Sequence, residues 1–406
     1  MRKIPKLRFK EFSDDWEEKK LGEILKIFNG YAFSSKDNQN SGAILLKIAN
    51  VDINKMKQEE LSFLPLTYLE KFSKYILKKG DIVIALTRPL LNRQLKIAEI
   101  DVFFDNSLLN QRVGKIETNE NKKFIYNIFQ KNNYIKEIEI NISGSDPPNL
   151  STENIKDIIL NIPSIQEQEK IANFLSSVDK KISLTEEKLE LFREYKKGVI
   201  QKIFSQELRF KDSNGNDYPE WEEKKLGEIA FFSKGKLISK EDITEEGVEC
   251  IRYGELYTIY KEKIEKVVSK TKLEKNKLIL SEKNDVIIPS SGETAIDIAV
   301  ASCVMKDGVA LGADLNIIKT KENGLYLAYF INNPAKLELA SLAQGASVIH
   351  LYEKHLKLLN IKIPTLEEQE KIADFLSSID SKIESIEKEL EGLKEFKKGL
   401  LQQMFI

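Results

Sequence analysis

A nine-residue stretch, Trp16-Glu-Glu-Lys-Lys-Leu-Gly-Glu-Ile24, occurs again unchanged at Trp221 to Ile229. Upstream of each copy stands Leu-Arg-Phe-Lys, at Leu7 to Lys10 and again at Leu208 to Lys211. A longer match pairs Pro163–Phe204 with Pro364–Phe405, where 23 of 42 positions are identical. The period, 201 residues from Leu7 to Leu208, is far beyond the roughly 20 to 50 residues of a solenoid repeat. The chain of 406 residues therefore reads as two copies of one module, each a divergent domain followed by a near-constant tail. Between the matched ends only a skeleton survives: Gly30 with Gly235, Lys47 with Arg252, Asp81 with Asp285, Gly144 with Gly345, and Ile82-Val83-Ile84 with Val286-Ile287-Ile288. Glycines, apolar strand residues and one Asp are what a shared fold retains. Divergence elsewhere implies one job done twice on different targets.

The tails predict helices with a heptad seam. In the first, Ile171, Leu175, Val178, Ile182, Leu189, Phe192, Val199 and Ile203 follow one another in steps of three and four, interrupted by Thr185 and Lys196. In the second the seam is Ile372, Leu376, Ile379, Ile383, Ile386, Leu390, Leu393, Leu400 and Met404, interrupted by Lys397. Five apolar heptads separated by charges are a strong coiled-coil pattern. Pro163 and Pro364, each followed by a hydroxyl residue and acids, mark the helix starts. Helices of about 38 residues would each span about 57 Å. Two like seams in one chain predict an antiparallel pair with an approximate two-fold axis, a ruler between two divergent domains. The repeated Leu-Arg-Phe further predicts that Phe405 lies near residues 1–9, as Phe204 lies near Leu208.

The domains themselves show strands before helices. Ile44–Ile48 and Ile82–Leu86 in the first, and Cys250–Tyr253 and Asp285–Pro289 in the second, read as strands. Phe124–Asn132, Leu150–Ile159 and Leu325–Asn333 read as helices. The expected fold class is α+β: two α/β domains separated by two long antiparallel coiled-coil helices, in a pseudo-two-fold internal repeat. The expected divisions are 1–161, a helical region 162–207, 208–361 and a second helical region 362–406.

Composition and motifs exclude several classes. Two cysteines, Cys250 and Cys303, are too few for a zinc site and suit a reducing, cytoplasmic setting. His350 and His355 are five apart and do not share a helix face. No membrane span or signal segment is expected. There is no G-x-x-x-x-G-K-[ST] loop and no G-x-G-x-x-G. Asp146-Pro147-Pro148-Asn149 resembles an adenine-methyltransferase loop but has Asn where a stacking aromatic belongs, so it reads as a turn. Ser290-Ser291-Gly292 with His350 lacks a nucleophile elbow. No catalytic site is expected, and no metal. Net charge is −1, from 63 basic and 64 acidic residues, which argues against a protein that simply coats nucleic acid.

These motifs together resemble those of the specificity subunits of type I restriction–modification systems. The resemblance rests on the two W-x(4)-LG-E-I openings, the two Ile-Pro-x(3)-Glu-Gln-Glu-Lys-Ile-Ala helix starts at Ile162 and Ile363, and the Gly80-Asp-Ile-Val-Ile84 and Asn284-Asp-Val-Ile-Ile288 strands. The Asn110-Gln111 step and the Ser143-Gly144-Ser145 and Gln344-Gly345-Ala346 turns also fit. It implies two target-recognition domains, each reading half of a bipartite, asymmetric site on double-stranded DNA. It implies helical regions that set the spacer and bind two modification subunits, with restriction (motor–nuclease) subunits joining the assembled complex. The chain would be a non-catalytic recognition subunit with no cofactor of its own, S-adenosylmethionine belonging to the modification partners. The alternative is a coiled-coil scaffold presenting two divergent protein-binding domains.

Base-edge reading needs bidentate side chains, Arg or Lys on guanine and Asn or Gln on adenine. In the first domain Leu86–Ile116 holds five basic residues against three acids, and Thr87, Arg88, Asn92, Arg93, Gln94, Asn110, Gln111 and Arg112 are the candidates, with Tyr31 and Lys47. In the second they are Ser290, Ser291, Gly292, Glu293 and Thr294, where Glu293 and nearby Asp297 suit cytosine amines, with Lys236, Arg252 and Tyr253. Ser143, Gly144, Ser145, Gln344, Gly345 and Ala346 are candidate phosphate-approaching turns.

Overall fold

A computed structural model describes residues 4–142, 147–236, 238–345 and 348–406. The chain divides into two compact units, Met1–Glu186 with Lys388–Ile406 and Glu187–Glu387. In the first unit the opening motif is a strand, Glu17–Lys20, antiparallel to Ile159–Ile162 just before the first long helix. A four-stranded sheet follows in the order Leu25–Asn29, Val113–Thr118, Ile82–Ala85, Ile97–Glu99. A smaller sheet places Ala43–Leu46 between Phe63–Leu64 and the parallel Leu108–Leu109. Alternate residues of the central strands face two cores. Ile82 and Ile84 meet the helices Lys122–Ile128 and Asn132–Ile142, while Val83 meets Leu46 and Leu109.

The second unit repeats this plan. Glu222–Lys225 pairs with Asn360–Ile363. The main sheet runs Ala230–Lys234, Leu315–Thr320, Asp285–Pro289, Ser302–Val304, Lys263–Ile264, and the smaller one contains Val248–Ile251 beside the parallel Ala310–Leu311. The repeated Asp does the same work twice. Asp81 accepts from the Lys78 amide at 3.0 Å and Asp285 from the Glu282 amide at 2.9 Å, each closing the turn that feeds the central strand.

Two helix expectations need correction. Leu150–Ile159 is not a helix. It holds one helical turn, Thr152–Ile155, capped by Ser151, and then the strand Ile159–Ile162. The period-two signal was present: Ile158, Leu160 and Ile162 are buried while Ile159 is exposed, and the ladder to Glu17–Lys20 overrides helix propensity. The helix expected at Phe124–Asn132 begins at Lys122, capped by Asn121, ends at Ile128, and is followed by a separate helix at Asn132–Ile142.

The long helices are Ile165–Phe204 and Leu366–Met404, of 40 and 39 residues. Each unit contains an antiparallel pair formed by the start of one and the end of the other. In the first unit Lys397 pairs with Asp179, Lys394 with Glu186 and Lys181 with Glu389. In the second, Lys196 pairs with Asp380 and Arg193 with Glu387. From Asp179–Lys397 to Glu186–Lys394, and from Arg193–Glu387 to Lys196–Asp380, rising numbers on one helix meet falling numbers on the other, as an antiparallel register requires. Most seam residues are buried; Ile182, Phe192, Leu390 and Leu393 are half-buried. The interruptions have physical explanations. Thr185 turns its hydroxyl onto the Lys181 carbonyl at 2.8 Å and stays in the seam. Lys397 meets Asp179 at 2.7 Å, and Lys196 meets Asp380 at 2.7 Å; these pairs stand 201 residues apart on both partners.

The Glu-Gln-Glu-Lys-Ile-Ala motif joins each helix to its domain. Glu167 takes both Arg8 nitrogens at 2.7 Å, and Glu368 takes Arg209 at 3.2 and 2.9 Å. Gln168 accepts from the Asn121 amide and donates to Glu120, as Gln369 does with Asn323 and Glu322. Phe9 packs edge-on against Phe174, and Phe210 against Phe375. The expected neighbourhood of Phe405 is also present. The Leu7 amide donates to Gln403 at 2.9 Å, the Leu208 amide to Lys202 at 3.0 Å, and Phe405 packs on Trp16. No helix among the described residues is long and apolar enough to cross a membrane.

Candidate recognition surface

At one edge of the first unit four strand ends are tied together by backbone hydrogen bonds. The Gly30 amide donates to Val113, Tyr31 to Leu109, Asn110 to Leu46 and Leu86 to Arg112. The second unit makes the same four bonds: Gly235 to Leu315, Lys236 to Leu311, Gly312 to Ile251 and Ser290 to Asp314. The glycine is required at this knot. A Cβ at Gly30 would lie 2.2 Å from the Asn110 carbonyl oxygen, and one at Gly235 would lie 1.9 Å from that of Gly312. A fifth bond extends the match, Leu150 to Leu86 and Leu351 to Ser290.

This framework confirms the pairing of Lys47 with Arg252 and makes further positions equivalent that the sequence repeat did not pair. Tyr31 corresponds to Lys236, Lys47 to Arg252, Thr87 to Ser291, Arg88 to Gly292, Asn110 to Gly312, Arg112 to Asp314 and Asn149 to His350. The backbone is held constant and the side chains above it change in size, charge and hydrogen-bonding sense.

In the first unit Thr87, Arg88 and Arg112 line a cavity of about 550 Å³ together with Lys96, Asn149 and Pro147. The Thr87 hydroxyl lies 2.8 Å from the Asn149 side-chain oxygen. Arg88 has a φ of 47°, a left-handed conformation that non-glycine residues seldom adopt. Burial, with the charges of Arg88 and Lys57 added and that of Asp52 opposing, holds the Lys96 ammonium below its ordinary pKa. Asn110 accepts from the Arg112 amide at 3.2 Å, and Gln111 and Arg112 are exposed. Asn92 and Arg93 form the two-residue turn of a hairpin, Leu90–Leu91 with Gln94–Leu95, both with positive φ as such turns need. Lys47 begins the turn after Ala43–Leu46, with its amide on the buried Asn50. Tyr31 is half inside an aromatic group, its ring 4.8 Å from Phe72 and 5.0 Å from Phe33.

In the second unit Arg252 is committed to buried Glu255, 3.3 Å away, and Tyr253 is exposed against Tyr257. Ser290 is buried, and Ser291-Gly292 forms a short ladder with Ile349–His350. Thr294 caps the turn Ala295–Ile298 and donates to Asp297 at 2.6 Å, so this acid is already partnered; Glu293 is exposed. Lys236 is exposed, and Gln344 bridges to His350. Gly345 has a φ of 143°, and a Cβ there would lie 2.0 Å from the Val348 carbonyl oxygen. Ser143, Gly144, Ser145 and Ala346 lie outside the described residues.

Sequence reading missed Lys96, Asn149, Tyr257, Asp314, His350 and Tyr352, which stacks on His350 at 5.7 Å. Asp314 was findable: both it and Arg112 directly precede the strand that begins Val113 or Leu315. Asn149 and His350 come from distant segments, and only the folded ladder brings them to the strand ends.

A duplicated backbone carrying two different sets of exposed side chains defines a tandem recognition protein. The family described as the type I restriction modification DNA specificity domain matches residues 13–191 and again 218–395. The chain belongs to this family and is a type I restriction–modification specificity subunit with two such domains. It is 31% identical over 207 residues to the type I restriction enzyme MjaVIII specificity subunit of Methanocaldococcus jannaschii, an alignment covering 50% of this chain and 49% of that relative. Over 416 residues it is 23% identical to the EcoBI specificity subunit of Escherichia coli, covering 93% and 82%. The S subunit of a type I system from M. genitalium shares the fold, with a TM-score of 0.65 at 16% identity over 99% of both chains.

Proposed function

We propose that each domain reads one half of a bipartite, asymmetric site on double-stranded DNA, and that the paired helices set the unread spacer and dock two modification subunits. The observation that carries this reading is the repeated strand-end framework with unlike side chains upon it, for two such readers address two unlike half-sites. The chain itself is non-catalytic. S-adenosylmethionine chemistry belongs to the modification subunits, and motor–nuclease subunits complete the restriction complex. A cytoplasmic setting accords with Cys250 and Cys303, both buried as free thiols.

Co-expression with the cognate modification subunit, followed by genome-wide mapping of N6-methyladenine, tests this. One split motif with a fixed spacer is expected. An unsplit motif, or random methylation by an active complex, would overturn it and favour a protein-binding scaffold.

A further inference from the structure

The strand-end framework places Arg112 and Asp314 at one position in the two domains, since each carbonyl accepts the amide that follows the central strand, from Leu86 and Ser290. Both side chains are exposed. Around Arg112 the surface is cationic: Arg88 and Lys96 line the same cavity, and among the described residues its lining contains no acid. At the matching position Asp314 reverses the sign of the side chain. The position of Arg88 is taken by Gly292, where a Cβ would come within 3.0 Å of the Tyr257 hydroxyl, itself donating to the Ser291 carbonyl at 2.9 Å. A carboxylate on a surface that approaches DNA is repelled by phosphates, so a favourable contact there needs a hydrogen-bond donor, which the amines of base edges supply. Cytosine N4 and adenine N6 are such donors, whereas guanine N7 and O6 accept and match a guanidinium.

We propose that Arg112 and Asp314 are equivalent specificity determinants: Arg112, with Arg88 beside it, reads a guanine in one half-site, and Asp314 accepts the amine of a cytosine in the other. This rests on the DNA-reading function proposed above and assigns its chemistry to two residues. The structural equivalence also shifts the acidic reader of the second domain from Glu293 and Asp297 to Asp314.

The test uses the full complex and methylation mapping of Arg112→Gln, Arg112→Lys and Asp314→Asn. Arg112→Gln is expected to cut discrimination about tenfold to a hundredfold at one guanine of a single half-site, the value of a good bidentate contact. Arg112→Lys should retain part of it, and Asp314→Asn should relax one cytosine position in the other half-site. If the wild-type complex methylates a split motif and all three variants keep that motif while methylation weakens uniformly and more steeply with salt, the residues are phosphate contacts or lie outside the interface, and this proposal fails alone. If the wild-type complex shows no split motif, the underlying function fails instead. A variant complex that does not assemble is distinguished by co-purification with the modification subunit, and Arg112→Lys then decides.

Discussion

Arg8 and Arg209 show what the invariant residues of this chain are for. Each guanidinium forks onto a carboxylate that is at most 2% exposed, and both bonds close a joint between a domain and its helix. Removing the arginine leaves a buried charge without its cation, a change that costs about 3–5 kcal/mol. Arg8→Ala should therefore lower the denaturant midpoint of the first unit, and Glu167→Gln, which keeps the shape but not the charge, should cost less; chemical denaturation followed by Trp16 fluorescence measures both. The sequence repeat pointed to these residues as constant, but their pairing was not legible because the partners are 159 positions apart. The opposite holds for Lys47 and Arg252. Sequence alignment already paired them, and identical strand-end bonding explains why.

At the scale of elements, the two lysines in the heptad seam fix the register of the helix pairs. Lys196 lies between Asp380 and Glu262 and over the ring of Tyr329, whose hydroxyl also donates to Asp380. Burial, with Asp380 alongside, raises the Tyr329 phenol far above its usual range, so it remains a donor. Lys196→Met is expected to destabilise the second unit by about 1–3 kcal/mol, since Asp380 loses its cation but keeps the Tyr329 hydroxyl, while Lys196→Met with Asp380→Asn should recover more than half of the loss in a thermal-unfolding double-mutant cycle. On the proposed function the helices also set the spacer. Four residues inserted into both, about 6 Å of helix rise each, should change the spacer by one or two base pairs and leave both half-sites unchanged; methylation mapping reads this directly. The helices were fully legible because a heptad is local. The strands Glu17–Lys20 and Glu222–Lys225 were not, since Glu-Glu-Lys-Lys carries no apolar alternation and becomes a strand only by pairing with Ile159–Ile162 or Asn360–Ile363.

For the whole molecule, a net charge of −1 accords with a reader that leaves most phosphate contacts to its partners. The isolated chain should bind DNA weakly at physiological salt, and the complex with modification subunits far more tightly; fluorescence anisotropy across a salt series separates the two. Much of the molecule's plan was visible in the repeat, including the joint between chain start and second helix. The recognition surface was visible only in part, because strand ends from four segments combine there and no single segment is diagnostic.

That joint has a consequence for synthesis. The core around Trp16 and Phe124 is completed by Leu400, Leu401, Met404 and Phe405, whereas the second unit draws only on residues 187–387. A ribosome moving from the amino end delivers every residue of the second unit before the last helical turns of the first. The domain made first is thus the last to close, and it waits, with an apolar face uncovered, for roughly the second half of translation. A released chain truncated after Glu387 should therefore show a protease-sensitive first domain beside a protected second one.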